Sequence, residues 1–173
     1  PYDQLVARTR HRPVARGAVS PVAAHVFTGL QSIVGSAILY QLPSACIVYA
    51  APTVAGLGIY PLMKRVTYYP QAWLGLSMGW GVWVAAASMG ADPFGWIRTR
   101  SIADSTVVPL SCIYGAYTLW TMIYDTIYAH QDIKYDRAAG VKSMAVKFGD
   151  RTKPILTAFA VAQVGLLIGA GWS

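Results

Sequence analysis

Glutamate is absent from this 173-residue chain, and all seven of its acids are aspartates. Charge of either sign is scarce: 12% of residues are Asp, Glu, Lys or Arg, against about a quarter in a soluble domain. That shortage excludes an ordinary soluble domain, whose surface needs charge. Cysteine is nearly missing too. The two present, Cys46 and Cys112, lie inside apolar runs and read as small packing residues rather than a disulfide framework. No secretory signal is expected in the opening stretch, because its polar, basic start has no apolar core. The chain opens on Pro1 rather than Met, so it is expected to begin within a longer protein.

What is abundant is apolar sequence, at 55% of the chain. A membrane helix needs about 20 apolar residues to cross about 30 Å of hydrocarbon. Five runs qualify, at about 22–41, 45–62, 71–89, 106–127 and 154–172. Their Gly, Ala and Ser content suits close helix packing in lipid. Trp and Tyr are frequent, and serve either as headgroup anchors or as pocket filling. The expected fold class is therefore all-α, a polytopic transmembrane helix bundle of about five spans.

The net charge of +7 raises the possibility of nucleic acid, but the bases sit in short links between apolar runs. Residues 1–20, 63–70 and 128–153 hold twelve of the fourteen Lys and Arg. The opposite links carry only Arg98 and Arg100, balanced by Asp92 and Asp104. This is the positive-inside pattern of a membrane protein, and it argues against nucleic acid as a partner. The basic side is expected to face the cytosol or a matrix-like compartment.

One stretch on that side stands apart: "YDTIYAHQDIKYDRAAGVKS", residues 124–143. On a helix, Asp132 and Asp136 are spaced i, i+4, and Asp125 precedes Asp132 by seven, so all three project from nearly one face. Clustered carboxylates repel, and their oxygens suit Mg²⁺, which takes a few protein oxygens plus water and phosphate. The plainer alternative is a solvated loop balanced by Lys134 and Arg137. Two more segments share the same side. "YPLMKR" puts Tyr60 and Lys64 at i, i+4 with Arg65 beside them. "YDQLVARTRHRPVARG", residues 2–17, carries Asp3, Arg8, Arg12 and Arg16. Taken singly, these bases read as topology determinants or headgroup contacts. Together, acids for Mg²⁺ and bases for phosphate oxygens form a diphosphate site above an apolar bundle. An amphiphile with a diphosphate head and a hydrocarbon tail satisfies both halves.

These residues resemble the UbiA superfamily of intramembrane aromatic prenyltransferases. "YDTIYAHQDIKYDRAAGVKSMAVKFGD" is similar to the family's second aspartate-rich motif. "YPLMKRVTYYPQAWLGLSMGWG" is similar to its Tyr-x-x-x-Lys segment and Pro-Gln-x-x-Leu-Gly stretch. "YDQLVARTRHRPVARG" resembles the tail of the first aspartate motif. "YDTIYAHQD" is closest to the 4-hydroxybenzoate polyprenyltransferase branch, which includes ubiquinone-pathway and fungal meroterpenoid enzymes. The resemblance covers almost the whole chain and implies the third to seventh helices of a nine-helix fold. Two departures stand out. Of the first motif only Asp3 is present, and Tyr135 replaces the first of a paired Asp, leaving Asp132-x-x-x-Asp136.

The resemblance implies Mg²⁺-dependent transfer of a prenyl group from a prenyl diphosphate to a phenolic acid such as 4-hydroxybenzoate, through an allylic carbocation. It places Asp132 and Asp136 on one Mg²⁺ and Asp3 on another. Lys64, Arg65, Lys142 and Arg8 would neutralise the diphosphate, with Tyr60 hydrogen-bonded to it. Asp125, deeper in the membrane, is a functional candidate as an intramembrane acid. His130 reads as a neighbour and His25 as packing, while Gly140 marks a helix stop. The implied location is an organelle membrane, the mitochondrial inner membrane or endoplasmic reticulum. Three rival readings exist. CDP-alcohol phosphotransferases need an Asp-Gly-x-x-Ala-Arg motif that is absent. A cation transporter usually binds at the midplane rather than at one face. The third rival is a catalytically inactive piece of the family.

Overall fold

A computed structural model describes residue 4, residues 9–92 and residues 106–172. Among the described residues the fold is all helical. Helix α1 spans Pro21–Tyr40, α2 Ala45–Val66, α3 Pro70–Gly79 and α4 Gly81–Ser88. Helix α5 spans Val107–Ala129, α6 Ile133–Ala138, α7 Met144–Phe148 and α8 Thr152–Trp172. Short 3₁₀ turns at His130–Asp132 and Gly149–Arg151 link α5 to α6 and α7 to α8. Four helical stretches are long and apolar enough to cross a membrane: 21–40, 45–66, 107–138 and 144–172. Of the residues used to assign sidedness, Arg98, Arg100 and Asp104 lie outside the described residues.

Helix starts follow local chemistry. Ser20 caps α1 by accepting from the Ala23 N–H at 3.1 Å, with Pro21 in the first turn where its missing N–H costs nothing. Ser143 caps α7 in the same way, accepting from Val146 N–H at 3.2 Å. Hydroxyls inside the helices are satisfied locally. Thr118 and Thr121 donate to the carbonyls of Tyr114 and Tyr117, and Ser77 donates to Trp73. That back-bonding is how a hydroxyl survives where water cannot reach it.

The third apolar run, expected as one span over 71–89, is divided at Trp80 into α3 and α4. Gly79 and Gly81 flank the break, and glycine is the poorest helix former after proline. The Trp80 indole is drawn aside to donate to the Tyr49 carbonyl of α2 at 2.9 Å. Its ring also packs on Trp83 and Tyr114, at 6.1 and 5.8 Å between centroids.

Helix α5 is the central element, packed against α8 on one side and α3 on the other, while α2 lies against α3 and α4. Helix α1 sits at the edge and buries no residue. The buried set is small and mixed, with Ala86, Ala87, Ala116, Cys46 and Leu156 beside Gln71, Thr118 and Thr126. Lipid gives no hydrophobic drive for helix association, so close backbone approach takes its place. A Cβ on Gly75 would stand 2.8 Å from the Thr118 carbonyl oxygen, and one on Gly56 would run into the Ser77 side chain. The indole of Trp73 closes the α2–α3 seam by donating to the Gly56 carbonyl at 2.8 Å. Both cysteines are unbridged and sit in packing positions, with Cys46 fully buried.

Gly75→Val should therefore force α3 off α5 and cost about 1–3 kcal/mol, seen as a lower melting temperature in detergent. Gly58→Ala, which meets nothing within 4 Å, should leave the melting temperature unchanged or raise it slightly.

Candidate active site

The C-terminal end of α2 carries Tyr60 and Lys64 one turn apart, as their spacing predicts. The Lys64 ammonium lies 6.0 Å from the centre of the Tyr60 ring. Facing them is the end of α5, with Asp125 on its penultimate turn. The α5 helix does not run on as a single rod through the acids. It tightens into the 3₁₀ turn at His130–Asp132 and restarts as α6, with Asp132 at the junction. His130 is occupied locally, its Nδ1 3.2 Å from the Thr126 carbonyl. Despite the change of pitch, Asp125, Asp132 and Asp136 all open into one cleft.

That cleft has a volume of about 520 Å³. One wall holds Tyr60, Lys64 and Arg65 from α2, and the other holds the three aspartates and Tyr128. Thr9 and Arg12 close it from the N-terminal segment. Among the described residues its formal charge is balanced, with Arg12, Lys64 and Arg65 against Asp125, Asp132 and Asp136. Asp125 is within electrostatic reach of both Lys64 and Tyr60, and Gln71 stands in the same cleft wall.

The segment after α6 is shaped to return to this cleft. Gly140 has φ +69°. The Val141 N–H bonds back to the Asp136 carbonyl at 2.9 Å and the Gly140 N–H to Arg137 at 3.4 Å, which is a Schellman stop. The chain then crosses to α2, where the Lys142 N–H donates to the Lys64 carbonyl at 3.1 Å. The Lys142 side chain does not enter the cleft lining. Its ammonium donates to the Val66 carbonyl at 3.3 Å and sits 5.5 Å from the centre of the Tyr68 ring. Lys147 lies over Tyr69 at 4.6 Å, and Tyr69 meets Phe148 edge-on at 6.3 Å. Lys142 thus clasps the 140s segment to the end of α2.

Of the residues expected from sequence, Tyr60, Lys64, Arg65, Asp125, Asp132 and Asp136 are brought together, and Arg12 joins them. Lys142 and Arg16 are not in the lining. Asp3 and Arg8 lie outside the described residues. Sequence reasoning missed Gln71, a polar residue at the head of an apolar run, and Ser143. It also left open what the aromatics do. Tyr117, Trp120, Tyr124 and Tyr128 form a ladder along α5, with successive centroids 5.8, 5.6 and 6.5 Å apart. The upper two contacts are stacked, at 9° and 18°. Tyr128 ends the ladder in the cleft, and the exposed faces of Trp120 and Tyr124 lead away from it into the bilayer span.

Residues 1–173 match the UbiA prenyltransferase family along their whole length. The chain belongs to that family. It is 44% identical over 99% of its length to the mitochondrial 4-hydroxybenzoate polyprenyltransferase of Arabidopsis thaliana, covering 39% of that protein. The corresponding figures for the Saccharomyces cerevisiae enzyme of the same name are 43%, 98% and 42%. For 4-hydroxybenzoate geranyltransferase 2 of Lithospermum erythrorhizon they are 39%, 99% and 52%. The chain therefore spans about two-fifths to one-half of the relatives it matches. No solved structure matches it.

A chain reversal that depends on φ +69° penalises any side chain at that position. Gly140→Ala should cost about 1–2 kcal/mol, read as a lower melting temperature together with faster amide exchange across residues 138–144.

Proposed function

We propose that this UbiA-family chain forms part of an aromatic prenyltransferase that moves a prenyl group from a prenyl diphosphate to 4-hydroxybenzoate or a related phenolic acid. The observation that carries the reading is the two-walled cleft. Lys64 and Arg65 face Asp132 and Asp136 across it, at the polar end of an aromatic track. The names of the similar enzymes support the acceptor and the isoprenoid donor. The word mitochondrial in two of them supports an organelle membrane. The basic surplus supports a cleft on the matrix or cytosolic side.

The donor set suits Mg²⁺. Among the described residues, no group of three His, Cys, Asp or Glu side chains stands ready for a metal. Mg²⁺ needs no such cage, since it uses one or two carboxylates and completes its shell with water and substrate phosphate. Asp132 and Asp136 would supply those carboxylates, and Asp3 is the further candidate. When bound, Mg²⁺ supplies neutralising charge to the diphosphate oxygens.

The chain's own residues then divide the work. Lys64 and Arg65 take the diphosphate from the α2 side, so negative charge growing on the leaving group meets fixed positive charge. The allylic C–O bond breaks with its electron pair going to pyrophosphate. The tail lies along Tyr128, Tyr124 and Trp120, whose faces also attract a developing cation. Asp125, below Lys64 and beside Tyr60, orients the phenol of the acceptor. The ring carbon attacks the allylic carbon, a C–C bond forms, and the ring proton leaves to restore aromaticity. Exclusion of water by the apolar surroundings protects the cation from hydrolysis.

The test is product formation from labelled geranyl or farnesyl diphosphate and 4-hydroxybenzoate in detergent or membranes. Asp132→Asn and Asp136→Asn should each lower turnover roughly 100-fold, and chelation of divalent metal should abolish it. Divalent-cation uptake into vesicles with no prenylated product would replace this reading with transport. The same assay separates the two lysines. Lys64→Met should lose roughly 100-fold in kcat/KM, whereas Lys142→Met should act mainly by lowering the melting temperature.

A further inference from the structure

Gln71 is 1% exposed and stands in the first turn of α3, directly after Pro70. A buried primary amide has one acceptor oxygen and an NH₂ donor group to satisfy, and leaving either unmade inside the protein is costly. The two ends lead in different directions here. The Gln71 Oε1 accepts from the Met144 N–H at 3.1 Å. This is an N–H of the first turn of α7, which has no partner within its own helix. The NH₂ end of the amide is left to the cleft wall that Gln71 shares with Asp125. The orientation is fixed by chemistry, because a peptide N–H can only donate and a carboxylate can only accept.

Gln71 therefore joins the cleft wall it shares with Asp125 to the start of α7, 73 residues along the chain from itself. The same crossing segment is fastened to the opposite wall, where the Lys142 N–H meets the Lys64 carbonyl. Lys64 and Asp125 reach the cleft from separate helices, yet both walls are tied to residues 142–144. Met144, fully buried, adds a third tie as its sulfur meets the Thr126 hydroxyl at 3.9 Å.

We propose that Gln71 is a positioning residue for the transfer reaction: its amide holds the Asp125 carboxylate in register with Lys64 and locks it to the 142–144 segment. The inference rests on the prenyl-transfer reading above and deepens it. Gln71 shares the cleft wall with Asp125, and on this reading its effect on turnover passes through Asp125.

That path is what a double-mutant cycle detects. Gln71→Met keeps the volume and removes the bond to the Met144 N–H together with the polar NH₂ beside Asp125. It should lower kcat about 10- to 100-fold, the scale of loss for a misplaced reacting group, with the KM for prenyl diphosphate changed about threefold or less. Gln71→Met combined with Asp125→Asn should be no slower than Asp125→Asn alone. A residue with only a structural role gives losses that multiply instead, and that result overturns the proposal, as does wild-type kcat in Gln71→Met. Should Gln71→Met fail to fold, Gln71→Glu retains an acceptor for the Met144 N–H. It withdraws the donor facing Asp125 at alkaline pH, and it enters the same cycle with the same expected outcome. Wild-type protein that forms no product overturns the prenyl-transfer reading and this inference with it. Active wild type with multiplying losses overturns this inference alone.

Discussion

A carboxylate near the end of a membrane helix has to be answered by the protein, because lipid offers neither counter-charge nor hydrogen bonds. Asp125 imposes that demand, and the surrounding structure meets it from three directions. Lys64 supplies opposite charge from α2, Gln71 a polar side chain from the head of α3, and Tyr60 fills the space one turn below Lys64. The partners come from α2 and α3, so the relative placement of α2, α3 and α5 cannot drift without exposing a charge. The requirement to satisfy one acid thereby fixes the geometry of the whole cleft.

Close packing makes that placement possible. Gly56 and Gly75 admit the side chain of Ser77 and the backbone of Thr118 where any Cβ would collide. The indoles of Trp73 and Trp80 then bind carbonyls of α2 across the seam. The division of the third apolar run at Trp80 belongs to the same economy: a straight helix would carry the indole away from Tyr49. A membrane bundle cannot rely on water to press its helices together. Steric fit and buried donors do that work here, leaving much of the apolar surface of α1, α2 and α8 facing outward.

The parts of this arrangement that were legible in sequence are those set by local spacing. Tyr60 and Lys64 meet because they are four residues apart on one helix. Asp132 and Asp136 share a cleft as their close spacing predicts, although Asp132 ends a 3₁₀ turn and Asp136 lies in α6, and Gly140 announces its own positive φ. Motif resemblance added the expectation that these segments face one another. Contacts between distant segments were not legible. Lys142 follows a motif rich in candidate phosphate ligands, and nothing local shows that the Val66 carbonyl and the Tyr68 ring will take it. Gln71 looks like a polar interruption of an apolar run until Met144 and Asp125 are seen on either side of it. The aromatic ladder has helical periodicity in the sequence, but periodicity alone does not separate a ligand track from packing. Asp3 and Arg8, expected to complete the site, fall outside the described residues.

The balance of charge in the cleft carries a consequence for how the proposed substrates enter. Among the described residues, three bases and three acids line it, so their net attraction for a trianionic diphosphate is weak, whatever the +7 charge of the chain. Lys64 also feels the charge of Asp125. A diphosphate entering alone would have to approach Asp132 and Asp136, both of its own sign. A divalent cation reverses that cost, turning the acid wall from repulsive to attractive. Metal and diphosphate are therefore expected to bind with mutual reinforcement. The acid wall restrains binding of the diphosphate without metal, and so disfavours ionisation of the donor before its leaving group is fully neutralised. On this view the aspartates select the metal complex of the donor as well as holding the metal.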